Sequence, residues 1–288
     1  MKKTKVIATV VMIFALISML VITLGDQENK PSTGFASHRI VAHAMGGING
    51  HAYTNSFEAF VANYEQGSRV FEVDLLLTTD DQLVARHEWT NNMSKLLGQQ
   101  TILPAARQGA VQDYAHFMNS PILNIYSPLD VERILDLMQA YPDTYIVTDT
   151  KEIKPELITQ QFKLLTEAAE HRDPNLLDRV VPQIYSQDML GVINKVHVFP
   201  EVLYTLYQSQ DSDDQVIDFV KKSGVDITMP DTRATYGFVQ KLKKAGARIY
   251  VHTLNDEAEI VKLSRMGVDG FYTDFVSEED LSQFKGLR

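Results

Sequence analysis

Beyond residue 38 the chain alternates between two hydrophobic rhythms. Short, nearly continuous apolar runs fall at 39–44, 70–77, 145–151, 180–185, 202–207, 226–229, 248–254 and 270–275. Runs of that length without polar alternation read as strands covered on both faces. Between them, apolar residues recur at helical spacing over 55–66, 129–139, 156–170, 188–196, 215–222, 236–244 and 257–266. In the first of these, Phe57, Phe60, Val61 and Tyr64 share a face, and Asn55 with Ser56 supplies a cap. Thr79, Asp80 and Asp81 predict a tight turn that folds 82–87 back on the second strand. With that extension set aside, eight strands remain, with a helix between each and the next. Such a series predicts an α/β fold, a (β/α)8 TIM barrel over 38–288. An open doubly wound sheet is the alternative. It calls for a phosphate-binding glycine motif after the first strand, of which Gly46-Gly47-x-x-Gly50 is a weak echo.

Two stretches break the rhythm. Residues 89–127 show no clear periodicity and carry Trp89, Met93, Tyr114, Phe117, Met118 and Tyr126 among polar residues. A long aromatic insertion after a barrel strand is expected to form a lid or substrate wall; the plainer alternative is a satellite cluster packed under a loop. At the other break, Lys2, Lys3 and Lys5 precede an uncharged run over 6–24. At helical rise that run spans about 28 Å, close to a bilayer core. Residues 1–25 are therefore expected to be an uncleaved transmembrane anchor with the rest of the chain outside the cytoplasm. A cleaved signal segment, followed by secretion, is the alternative, although Thr23-Leu24-Gly25 is a poor cleavage site. The polar residues 26–37 read as a linker.

Composition narrows the chemistry. The net charge of −10 and the lack of a basic stripe argue against nucleic acid as a partner. With no cysteine, disulfides, thiolate metal sites and a cysteine nucleophile are excluded. What remains is a set of polar residues late in the strand-like runs: His43, Glu72 with Asp74, His87, and Asp149 with Lys151. Barrel enzymes carry their chemistry at that end of their strands. Residues two apart on a strand share a face, so Glu72 and Asp74 point together, as do Asp149 and Lys151. Val70, Phe71, Val73 and Leu75 place the first pair in apolar surroundings, where like charges need a cation. Glu72, Asp74 and Asp149 thus form an all-oxygen site suited to Mg²⁺ or Ca²⁺. For Asp149 and Lys151 a simple mutual salt bridge is the rival reading. His43 and His87 offer an acid and a base near neutral pH. Together these groups suit cleavage of a phosphodiester. Gln183, Tyr185 and His252 are left open between pocket and core, while Asn255 and Asp274 read as loop-fixing rather than catalytic. His38, His51, His116, His171 and His197 are given no role.

Two groups of motifs carry a family resemblance. The first comprises Val41-Ala42-His43, Asn55-Ser56-Phe57-Glu58-Ala59-Phe60, Phe71-Glu72-Val73-Asp74-Leu75 and Val84-Ala85-Arg86-His87-Glu88. The second runs from Ala245-Gly246-Ala247-Arg248-Ile249-Tyr250-Val251-His252-Thr253-Leu254-Asn255 to Met266-Gly267-Val268-Asp269-Gly270-Phe271-Tyr272-Thr273-Asp274. Over most of 39–276 the chain resembles the glycerophosphodiester phosphodiesterase family, in the superfamily that includes phosphatidylinositol-specific phospholipase C. The resemblance implies that His43 and His87 are the two catalytic histidines and that Glu72 and Asp74 are metal ligands. Asp149 stands where most members have a glutamate as third ligand; an aspartate there resembles the related sphingomyelinase D group, and Lys151 matches the lysine two residues on. Three positions depart from the pattern: Ala44 replaces an arginine, Thr54 a glutamate and His252 a tryptophan. Losing a bidentate phosphate donor implies altered phosphate contacts. The implied function is metal-dependent hydrolysis of glycerophosphodiester-type bonds, on head groups or envelope glycerol-phosphate material outside the cytoplasm. The alternatives are a cyclising, lyase-like phosphodiesterase, a non-catalytic module that binds phosphodiesters or lipid head groups, and a tethered interaction protein that reuses the barrel.

Overall fold

The computed structural model describes residues 34–287. The expected anchor at 1–25 and the linker as far as residue 33 lie outside the described residues. Within them, Gly34–Ser37 forms a short 3-10 turn, and no helix is long and apolar enough to cross a membrane.

The apolar runs form strands because each can be covered on both faces. Strand β2, Val70–Leu77, is buried along nearly its whole length. It lies parallel to β1, Ile40–Ala42, and to β4, Tyr145–Asp149. The parallel order continues through β5 (Val180–Ile184), β6 (Leu203–Thr205), β7 (Asp226–Pro230), β8 (Ile249–His252) and β9 (Gly270–Thr273). Pairing of Ile40 with Phe271 and of Val41 with Val70 joins β1 to both β9 and β2 and closes the ring. The result is a closed barrel of eight parallel strands with helices between them, as the alternation predicts. Strand β3, Leu83–Ala85, runs antiparallel to β2 outside the ring and delivers the chain to His87.

The helices pack their apolar stripes onto this barrel. Phe60 and Ala59 of α1 (Phe57–Glu65), and Phe162 and Leu165 of the helix Pro155–Glu170, join Phe71 and Ile146 in one continuous core. Polar residues just after the strands cap the next helix: Ser186, Ser212, Thr235 and Asp256 each accept a backbone N–H from the first turn. Gly224 and Gly246 end their helices in the left-handed conformation (φ 73° and 98°).

Strands predicted to reach the site stop short of it. The first ends at Ala42, and His43–Met45 forms a 3-10 turn with Ala44 and Met45 at φ 49° and 69°. The third barrel strand ends at Asp149, and Lys151 sits at φ 53°. Alternation therefore does not govern Lys151; its ammonium arrives from the irregular segment after the strand. Residues 89–127 form two short helices, Asn91–Leu96 and Tyr114–Met118. Met93, Leu97, Ile122 and Tyr126 bury one another in a cluster of their own. Most of the insertion is thus the satellite cluster rather than the expected lid, because its apolar side chains find partners within the segment. Trp89 is its single residue on the central cavity wall among those described.

Candidate active site

A cavity of about 740 Å³ opens at the carboxyl ends of the barrel strands. Glu72, Asp74 and Asp149 are gathered on one side of it. Register does the gathering: Asp74 stands directly opposite Asp149 in the β2–β4 pair, with Glu72 two residues back on the same face. The three carboxylates are buried, and one ligand oxygen from each lies within 4.8 Å of the others. Each is held from the side. Glu72 Oε2 accepts the Ala44 amide at 2.7 Å. Asn55 clamps Asp74 twice, donating to Oδ2 at 2.9 Å and accepting the Asp74 amide at 3.1 Å. Tyr185 donates its hydroxyl to Asp149 Oδ1. Lys151 Nζ bridges the pair, 2.9 Å from Asp74 Oδ1 and 2.6 Å from Asp149 Oδ2.

Charge balance follows from this packing. Burial, with the Asp74 and Asp149 charges, raises the pKa of Glu72 to about 8, despite the opposing pull of His43 and Lys151. Burial also pushes Asp74 upward, yet Lys151, His87, His43 and the Asn55 hydrogen bond together bring it below the usual range. For Lys151, burial is outweighed by the Asp74 and Asp149 charges, so its ammonium is held firmly protonated.

The two imidazoles sit on either side of Tyr53, each ring centroid 4.9 Å from the phenol and edge-on to it. His43 Nε2 lies 4.0 Å from Glu72 Oε2, while Nδ1 pairs with Asp274 Oδ1 at 2.9 Å. Burial alone would depress His43, but the Asp274 hydrogen bond and the Glu72, Asp74 and Asp274 charges raise it to about 9. His87 is lowered, mainly by burial, and its Nδ1 has no hydrogen-bond partner among the described residues.

Five of the six sequence-predicted residues therefore line one cavity, and the sixth, Asp74, is fully buried against Asp149 and Lys151. Asp274 requires a correction. Expected to fix a loop, it instead orients His43, and its other oxygen accepts Asn255 Nδ2 at 2.9 Å. The loop-fixing role belongs to Asn255, whose Oδ1 accepts the amides of Asp274 and Phe275 and the Thr273 hydroxyl. Gly47 docks its loop against the same corner; a Cβ there would meet the Asp274 carbonyl oxygen at 2.6 Å and the Phe275 ring at 2.2 Å. Gln183, Tyr185 and His252, left open by the sequence, all line the cavity. Burial foremost, with the His43 and Lys151 charges, lowers His252 to about 4. Asn55, Tyr53 and the Ala44 amide were not legible as site groups. Lys151 is the one lysine or arginine lining the cavity among the described residues.

A closed parallel barrel with clustered carboxylates and a pair of imidazoles at its carboxyl end defines a barrel enzyme equipped for acid–base chemistry. Residues 46–278 match the model of the glycerophosphoryl diester phosphodiesterase family. The chain belongs to that family, and is a phosphodiesterase. It is 23% identical to the glycerophosphodiester phosphodiesterase of Bacillus subtilis over 96% of each chain. It is 24% identical to the uncharacterized protein YqiK of the same organism, over 82% of this chain and 95% of that one. Among solved structures, an Oleispira antarctica phosphodiesterase in complex with its product sn-glycerol-3-phosphate superposes with a TM-score of 0.68 at 16% identity. That match covers 85% of this chain and 96% of the other. At such identity the likeness is one of fold.

Proposed function

We propose that the protein hydrolyses glycerophosphodiesters at a divalent-cation site formed by Glu72, Asp74 and Asp149, with His43 and His87 as the proton-transfer groups. The observation that carries this reading is the Asp74–Asp149 register, which brings two buried carboxylates abreast beside a third. Lys151 and His43 are the two cations facing the three buried carboxylates, and Glu72 is still pushed toward protonation, first by burial and then by Asp74. The donor set is hard, anionic and all oxygen, which fits Mg²⁺ or Ca²⁺. When bound, such an ion neutralises phosphate charge and acidifies a hydroxyl.

The chain's own residues divide the remaining work. Asp274 accepts the Nδ1 proton of His43, so Nε2 is the nitrogen that exchanges a proton in the cavity. His87 exchanges one from the other side of Tyr53. One imidazole takes the proton of the attacking hydroxyl as the other delivers one to the departing alkoxide. Lys151 offers the fixed positive charge for the non-bridging oxygens, a role that falls to it because Ala44 brings only a backbone amide, already committed to Glu72. Overall, water is added, the phosphorus–oxygen bond to one alcohol breaks, and a glycerol phosphate and a free alcohol leave.

The uncharged run at 6–24 behind Lys2, Lys3 and Lys5 favours a membrane-tethered enzyme acting outside the cytoplasm, on head groups or envelope glycerol-phosphate material. ³¹P NMR of the products tests the chemistry. Linear glycerol phosphate is the expected signal; accumulation of a cyclic phosphate identifies the cyclising variant, and an unchanged substrate signal contradicts both.

A further inference from the structure

Outside the carboxylate cluster the most unusual buried charge is Arg86, next in sequence to His87. The residue is 2% exposed; the Glu88 charge acts on it, but no carboxylate makes an ion pair with it among the described residues. Burying a guanidinium without a close counter-ion is costly, and an apolar side chain of similar volume would be the more stable choice. What the guanidinium does, and an apolar group would not, is bind three acceptors at once. Nε donates to the Glu88 carbonyl at 2.8 Å, one terminal nitrogen to Gln99 Oε1 at 2.8 Å, and the other to Ser94 Oγ at 3.1 Å. The contacts continue outward. Ser94 donates its hydroxyl to the Gln108 carbonyl, and Gln99 Nε2 donates to the Ser120 carbonyl at 3.1 Å. One fork therefore ties several turns of the 89–127 insertion to residues 86–88. Its face lies 5.0 Å from the Trp89 ring, which meets Phe117 edge-on at 5.8 Å and lines the cavity.

The two imidazoles are secured differently. His43 has Asp274 on its rear nitrogen; among the described residues His87 has no hydrogen bond on Nδ1. Besides the Tyr53 contact, the placement of His87 rests on its backbone, and Arg86 holds that backbone on both sides. Its amide donates to the Asp74 carbonyl at 2.9 Å, and its side chain grips the Glu88 carbonyl. We propose that Arg86 is a positioning residue, locking the insertion to the strand end that carries His87 and so fixing where that imidazole meets the substrate. The proposal rests on the phosphodiesterase reading of His87.

A kinetic double-mutant cycle on the full-length protein tests it, using Arg86→Met, His87→Ala and the double variant. Misplacement of an acid–base group lowers turnover by about 100-fold, so Arg86→Met is expected to lose about that factor in kcat with KM within about threefold. In the His87→Ala background the same change is expected to add little. Wild-type kcat in Arg86→Met overturns the proposal. So does an equal loss in both backgrounds, because a merely structural defect lowers activity whether or not the imidazole is present. Should Arg86→Met fail to fold by circular dichroism, Gln99→Leu replaces it in the cycle. That variant removes one acceptor and is expected to lower kcat by about tenfold only when His87 is present; independence from His87 again overturns the proposal. Full turnover by His87→Ala alone sinks the acid–base reading itself, and the locking role with it.

Discussion

His43 Nδ1 and Asp274 Oδ1 meet at 2.9 Å across 231 residues of sequence, joining the turn after the first strand to the end of the last. The contact spans the seam where the barrel closes, so closure of the fold and orientation of the imidazole are one event. Asp274→Asn keeps the shape but replaces the acceptor with an amide. The expected result is a fall in kcat of about 10³-fold with folding intact. The His43 pKa is also expected to drop from about 9, since burial lowers it and the Asp274 hydrogen bond is the foremost group raising it. Steady-state kinetics and an NMR titration of the imidazole check both parts; an unmoved pKa would contradict the pairing.

Glu72 is held against its preference. Its pKa is raised from 4.5 to about 8, first by burial and then by Asp74 and Asp149. The folded protein therefore binds a proton that the unfolded chain releases at lower pH. Its contribution is complete below pH 4.5 and declines as pH rises to about 8, with no further loss above. Glu72→Gln is expected to flatten that slope and to raise stability at pH 8 by on the order of a few kcal/mol, while abolishing activity. Thermal melts in chelator across that range are the check, and an identical slope in the variant would show that Glu72 is not the strained group.

Cation uptake is expected to release that proton. Below about pH 8 the apparent affinity for Mg²⁺ or Ca²⁺ should tighten by about tenfold per pH unit for one proton displaced, then level off. Isothermal calorimetry in buffers of different ionisation enthalpy measures the proton count directly. Binding that is independent of pH between 5 and 8 is the contrary outcome.

Asn55 acts through Asp74. Its side chain both donates to the carboxylate and accepts the backbone amide, from a left-handed position at φ 47°. Asn55→Ala removes both contacts and leaves Asp74 free to turn. The expected cost is about 10- to 100-fold in cation affinity, with a smaller effect on KM for substrate. Calorimetric titration of the variant decides it.

Much of this was legible in the chain because strand and helix rhythms differ in period, and because a barrel concentrates its chemistry at one end of its strands. The carboxylate cluster could be read from Glu72, Asp74 and Asp149 for that reason. What escaped the sequence depends on backbone geometry and closure. Nothing local announces that Ala44 and Lys151 adopt positive φ and so leave their strands. Of the Asn55-Ser56 pair expected to cap the first helix, Ser56 does so, accepting from the Ala59 amide, while Asn55 turns back to Asp74. Asp274 and His43 are brought together by the seam, which no short-range pattern encodes. Aromatic content alone does not distinguish a substrate wall from a small packed cluster, and the insertion holds some of each: Met93, Leu97, Ile122 and Tyr126 pack together while Trp89 reaches the cavity.

The most direct measurement is steady-state turnover of a glycerophosphodiester by the full-length protein, with Mg²⁺ or Ca²⁺, with EDTA, and in His43→Ala and His87→Ala. Turnover that vanishes in chelator, returns with the added ion, and falls by about 10²- to 10⁴-fold in each variant is the expected result. Undiminished turnover in EDTA, or in either histidine variant, would contradict a cation site flanked by two proton-transfer groups.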